Sequence, residues 1–256
     1  MKQFLWILIV TFSVSYTIHA QRTLIDEWEA NIGYLNFQGD FGQRDDFSST
    51  LGNSGVMIGG KVYFNLLDSD RILCYACKHV KFDLSFNVGY TTLSFDKAYE
   101  DFDSPYYDKL KALNGQFYYG SLAANVEYHV ADFSNFRFYD DGLIYRLDPY
   151  FGLGFGVVFY DVNIESDLGN FETNPTILPS AFVGGVYDEP GIVPAVNLEV
   201  GVRYLLNDEL QLTFNNKWVY FISDKVDGLE PNPDLVKNKY NDWLFSPSVG
   251  LVIFIR

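Results

Sequence analysis

Cys74-Tyr75-Ala76-Cys77 is the sharpest chemical motif in the chain. Two cysteines at this spacing make a redox-active disulfide when a βαβ unit surrounds them, but the alternating pattern here has no such unit. An exported, oxidising setting then favours a structural disulfide between Cys74 and Cys77, with free thiols and a metal or redox role as the alternatives. Haem attachment wants a histidine directly after the second cysteine, and Lys78 intervenes before His79. A metal site would have to recruit His79, His129 or Asp83 as further ligands.

Histidine is scarce: His19, His79 and His129 are all there is. Hydrolysis and acyl transfer generally need a base beside the nucleophile, most often histidine. His79 and His129 fall at one end of the strand pattern, away from the long loops, so the chain is expected not to be an enzyme. Glu199 beside Arg203 could pass for a catalytic pair, but it reads better as an ion pair inside a narrow barrel. Gly152-Leu153-Gly154-Phe155-Gly156 looks like a phosphate loop, yet it lies within a strand with no helix after it to present an anion site. The 162–192 stretch carries Glu165, Asp167, Glu172, Asp188 and Glu189 and no basic residue. A solvated acidic loop is the plain reading, and weak divalent-cation binding the sharper one. No cofactor is implied. The formal net charge of −15 argues against nucleic acid, which needs clustered Lys and Arg.

The elements that must position these residues are strands. Residues 1–20 read as a signal peptide: Lys2, then an apolar Phe4–Tyr16 stretch, then Ala20 at a cleavage site before Gln21. Residues 21–256 contain about eight segments of period two, each near the ten residues that a tilted transmembrane strand needs. They run from Trp28, Val56, Val80, Leu122, Leu147, Val196, Leu210 and Trp243. The expected fold is all-β: an eight-stranded antiparallel up-and-down transmembrane β-barrel with long outer loops at 40–54, 96–115, 162–192 and 223–242.

Alternation alone does not say which face is wet, because a soluble sandwich shows the same period. One face carries Glu29, Lys61, Lys81, Asp83, Glu127, Glu199, Arg203 and Lys217, interleaved with glycines such as Gly33, Gly89 and Gly201. Small residues beside long charged ones suit a cramped lumen, whereas glycine on a solvated strand only weakens it. These eight are therefore expected to form a lumenal charge network. Aromatics make up 18% of the chain, and Trp28, Tyr128, Tyr204, Trp218 and Trp243 fall near strand ends, where interfacial girdles lie.

Gln21-Arg22 opens the exported part, and the first hairpin reads Glu29-Ala30-Asn31-Ile32-Gly33-Tyr34-Leu35-Asn36-Phe37 through Gly39 to Arg44. Gly52-Asn53-Ser54-Gly55, Lys217-Trp218-Val219-Tyr220 and Asn241-Asp242-Trp243 follow. In these stretches the chain resembles the small outer-membrane β-barrel proteins of the Bacteroidota, many of them of undefined role. Ile255-Arg256 after Phe254 departs from the aromatic ending usual there. The resemblance implies a Gram-negative outer-membrane location and no catalytic residues.

Eight strands leave an interior just wide enough for side chains to fill, so a general diffusion pore is disfavoured. The expected function is a non-enzymatic structural or interaction module of the cell envelope, by analogy an accessory of a secretion or assembly machine. A narrow channel, a hydrophobic-ligand carrier, or an adhesin using loop 162–192 with Phe171, Phe182 and Tyr187 are the alternatives. Expected partners are outer-membrane lipid, lipopolysaccharide and an envelope protein.

Overall fold

The computed structural model describes residues 25–42, 50–64, 75–95, 104–131, 146–232 and 241–255. The signal-peptide reading of 1–20, Cys74 and the Cys77 side chain lie outside the described residues. Eight antiparallel strands follow one another round a closed barrel: β1 (Ile25–Gln38), β2 (Ser54–Phe64), β3 (Val80–Ser94), β4 (Leu113–His129), β5 (Leu147–Ser166), β6 (Gly191–Asn207), β7 (Leu210–Phe221) and β8 (Trp243–Phe254). Closure comes from β1 pairing with β8, so no edge is left unpaired. Two short helices, α1 (Tyr75–His79) and α2 (Pro105–Lys111), flank β3. Among the described residues no helix is long and apolar enough to cross a membrane.

The wall is built inside out relative to a soluble protein. Ile32 and Val56 are 63% exposed and Phe155 57%, while Arg203 is fully buried. The outward faces of β3 and β5 are runs of Leu84, Phe86, Val88 and of Phe151, Leu153, Phe155, Val157, Phe159. Soluble monomers rarely expose contiguous apolar bands of this kind, and its medium is lipid. Trp28, Tyr128 and Tyr204 stand at the inner rim of the band; Tyr90, Tyr118, Trp218 and Trp243 stand at the outer rim. Trp218 packs on Phe245 at 5.3 Å, and Tyr128 shares a 2.6 Å hydroxyl contact with Tyr75 of α1.

β4 and β5 are longer than the period-two pattern suggested. The alternation predicts β4 from Leu122 and β5 to Phe159, whereas the hairpin spans Leu113–His129 and Leu147–Ser166. The reason is a change of phase. Below Phe159 the outward face of β5 is apolar; beyond it Val162 and Ile164 face in and Asp161, Asn163 and Glu165 face out. The strand continues, but its surroundings change from lipid to water.

The closing seam has one irregularity. Pro247 stands opposite Tyr34 and has no N–H to donate, and the β1–β8 ladder skips the rungs of Tyr34 and Leu35. The Ser246 hydroxyl donates to the Tyr34 carbonyl at 2.9 Å instead, satisfying that acceptor within the wall.

Candidate functional site: a two-tiered lumen

The inner half of the lumen is ionic. Alternation aims Glu27 and Glu29 of β1, Lys61 and Tyr63 of β2, Lys81 and Asp83 of β3, Glu127 and His129 of β4, Asp148 and Tyr150 of β5, Glu199 and Arg203 of β6, and Lys217 of β7 at one another. Glu127 is the hub. Its Oε1 accepts from Lys61 Nζ at 2.7 Å, and its Oε2 from Arg203 Nη2 at 3.0 Å. Lys61 also pairs with Glu199, and Arg203 Nη1 reaches Glu27 Oε2 at 2.7 Å. Lys81 completes the Glu27 pair. Tyr63 donates to Glu29 at 2.8 Å and lies under the Arg203 guanidinium, 4.4 Å from ring to Cζ; Tyr150 donates to Glu199 at 2.9 Å.

All eight charged residues expected in the lumen face it, but they do not all form ion pairs. The hydrogen bonds of Asp83 and Lys217 run to neutral groups: Asp83 accepts from Asn125 at 2.6 Å, and Lys217 meets Ser85 Oγ at 3.4 Å. Glu27 was hidden from the strand pattern because the alternation is clear only from Trp28 onward. His129 joins the site as well: Nδ1 sits 2.6 Å from Asp148 Oδ2 and Nε2 3.2 Å from Glu127 Oε2. Both of its nitrogens thus meet carboxylates, and its ring stacks on Tyr150 at 5.3 Å. Among the described residues no His, Cys, Asp and Glu cluster could hold a metal ion. The glycine run of β5 works by leaving space: a Cβ on Gly152 would touch Glu127 and Glu199 at 3.4 Å, and one on Gly201 of β6 would meet the Tyr150 ring at 2.5 Å.

The outer half of the lumen is apolar. Leu35 and Phe37 of β1, Phe117 of β4, Val158 and Val162 of β5, Phe221 of β7 and Leu244 of β8 converge there, all buried. Phe37 meets Phe117 edge-on at 4.8 Å and Phe221 at 6.0 Å. The loops close the mouth. Phe41 from the β1–β2 loop, Leu178 and Phe182 from the β5–β6 loop, and Val226 and Leu229 from the β7–β8 loop join the same core. Backbone bonds from Tyr187 N to Gly228 O (2.8 Å) and Glu230 N to Gly185 O (2.8 Å) stitch two of these loops together. Gly228 has φ +81°, and a Cβ there would meet Tyr187 O and Ile164 Cδ1 at 2.7 Å, so glycine is required.

This tier was not anticipated from the residue pattern, and it takes up two of the three aromatics singled out in loop 162–192. Phe182 is buried and Phe171 packs against the core, which leaves Tyr187 as the exposed aromatic of the three. Tyr187 is itself engaged, donating to Glu230 at 2.6 Å beside a 2.8 Å Lys225–Glu230 pair.

A closed barrel with an apolar belt, aromatic rims and an ionic interior is an outer-membrane β-barrel protein. No protein-family model and no curated protein matches the chain. It is similar in fold to Neisserial surface protein A (13% identity, 90% of this chain and 97% of the other, TM-score 0.44). It is similar also to Ail, the attachment invasion locus protein of Yersinia pestis, solved with the heparin analogue sucrose octasulfate (12%, 90% and 99%, TM-score 0.40). A third similar structure is that of the outer membrane enzyme PagL (12%, 90% and 99%, TM-score 0.36).

Proposed function

We propose that this chain is a non-enzymatic, non-conducting barrel that anchors an interaction surface in the outer membrane, its loop cap or inner turns being presented to another envelope protein. The observation that carries this reading is the filling of the lumen: a paired ionic tier below and a loop-sealed apolar tier above. Phe37, Phe117 and Phe221 fill the upper tier, and an ion would lose several kcal/mol of hydration in passing among them. Service as an accessory of a secretion or assembly machine fits the Bacteroidota resemblance by analogy. A hydrophobic-ligand carrier is the second reading, favoured by the apolar upper lumen, but it requires Phe182 and Leu229 to leave their seats.

Planar-bilayer recording of the refolded barrel, checked for closure by its boiling-dependent electrophoretic shift, tests the proposal. Silence at both polarities is expected, with a specific envelope protein recovered by photo-crosslinking from exposed cap positions such as Val183. Sustained unitary conductance from the heat-modifiable form would overturn it.

A further inference from the structure

The register of β3, β4 and β5 places three cross-strand rows on the outward wall immediately above the apolar band. The last lipid-facing row is Val88, Gly120 and Phe159. Next comes Tyr90–Tyr118–Asp161, then Thr92–Gln116–Asn163, then Ser94–Asn114–Glu165. The two tyrosine rings meet at 4.8 Å and form a shelf at the membrane surface. Above them Thr92, Asn114, Gln116, Asn163 and Glu165 line a cavity of about 320 Å³, walled on its far side by Gly52 of the β1–β2 loop. That wall is fixed, since Thr92 Oγ1 donates to Gly52 O at 3.0 Å.

The side chains of the cavity are held loosely. Asn163 Nδ2 reaches Glu165 Oε1 only at 3.4 Å, Asn114 Nδ2 reaches Asp167 Oδ2 at 3.4 Å, and Tyr118 reaches Gln116 Oε1 at 3.3 Å. The amides of Asn36 and Asn53 bond more tightly, to Thr50 O at 2.7 Å and to Phe41 O at 2.6 Å. Bonds near 3.4 Å are weak and exchange readily for better partners. The lining combines amide donors and acceptors, the hydroxyl residues Thr92 and Ser94 and one carboxylate, together with Leu93, and has no Lys, Arg or His.

We propose that this cavity binds the sugar hydroxyls of an outer-leaflet glycolipid. Planar amides and a carboxylate match the paired donors and acceptors of a saccharide. Asp161 and Glu165 repel a phosphate, so the headgroup phosphates of the same leaflet are selected against. The volume stands at the lower end of ligand pockets, roughly 300–1,000 Å³, and suits one or two sugar rings. Tyr90 and Tyr118, with apolar bodies and wet tips, mark the depth where the acyl chains end and the headgroup begins. The inference rests on the outer-membrane reading.

The test uses the full barrel in nanodiscs with lipopolysaccharide of intact core, with the same glycolipid stripped of its core sugars, and with phospholipid alone. Glycolipid molecules retained per barrel are counted by native mass spectrometry. Gln116→Ala with Asn163→Ala is expected to lower retention of the intact glycolipid at least tenfold, and Asn170→Ala to leave it unchanged. Both changes lie above the bilayer, and an intact heat-dependent shift verifies folding. Equal retention by the variant overturns the proposal, as does retention that ignores the core sugars or that a chelator alone abolishes. A wild-type chain with no heat-dependent shift would instead remove the membrane reading beneath it.

Discussion

Lys61 on β2 and Glu199 on β6 stand on diametrically opposite strands, yet their side chains meet in a buried ion pair across the lumen. Arg203 and Glu127 likewise bridge β6 and β4 at 3.0 Å. Non-neighbouring strands are thus tied through the interior as well as through the sheet. Removing one member of a buried network leaves its partners uncompensated, which costs about 3–5 kcal/mol. Lys61→Met is expected to lose that much in urea unfolding from lipid vesicles. Lys61→Met with Glu199→Gln should recover part of it, because one orphaned carboxylate is then neutral. A double variant no better than the single would show that Glu127 alone carries the effect.

Phe37 of β1 packs within the upper tier against Phe117 of β4 and Phe221 of β7. Truncating a fully buried phenylalanine costs about 3–5 kcal/mol through lost contacts and the void left behind. Phe37→Ala should therefore lower stability by that amount and raise protease cleavage within the β7–β8 loop, whose Val226 and Leu229 pack on the same core. Cleavage at the wild-type rate would mean that the loop holds without the aromatic layer.

The Ser246–Tyr34 bond offers a double-mutant cycle. Ser246→Ala leaves the Tyr34 carbonyl without its donor inside the wall, at a cost of about 1–3 kcal/mol. Pro247→Ala returns a backbone N–H to that rung. In that background Ser246→Ala should cost under about 1 kcal/mol. Additive losses would refute the compensation.

Acid should tighten the loop cap. Partial burial raises the Asp188 carboxyl above its ordinary value, and the nearby Asp161, Glu172 and Glu165 raise it further. A carboxyl raised in the folded loop favours folding when protonated, so its contribution is full below the unfolded value and is lost as pH rises through the folded one. Hydrogen exchange of the β5–β6 loop should accordingly slow as pH is lowered from neutral towards 4, after correction for intrinsic rates. Asp188→Asn should flatten that dependence, and an unchanged profile would reject the assignment.

Much of the wall was legible because a lipid-spanning strand writes its environment at period two: Ile32 out and Asn31 in, Phe86 out and Asn87 in. The ionic lumen followed from the same rule, since Lys61 and Glu199 could point nowhere else. Legibility ended where the medium changed. At Val157-Val158-Phe159 both faces are apolar, and beyond it the phase inverts, so β5 reads as finished when it has only left the membrane. Glu27 was missed for a related reason, lying before the first clear alternation. The seating of Leu178 and Leu229 in the mouth depends on contacts between distant segments, which no local spacing encodes.

That seating constrains how the protein can diverge. Surface loops on a rigid scaffold usually drift freely because they touch little. Here Phe41, Leu178, Phe182, Val226 and Leu229 are interior residues carried on loops, and Gly228 tolerates no side chain. A lineage pressed to vary its exterior, by phage or by antibodies, would find these positions closed to change. Variation should gather instead around the exposed Leu168, Gly169 and Asn170, where Gly169 has open space about it.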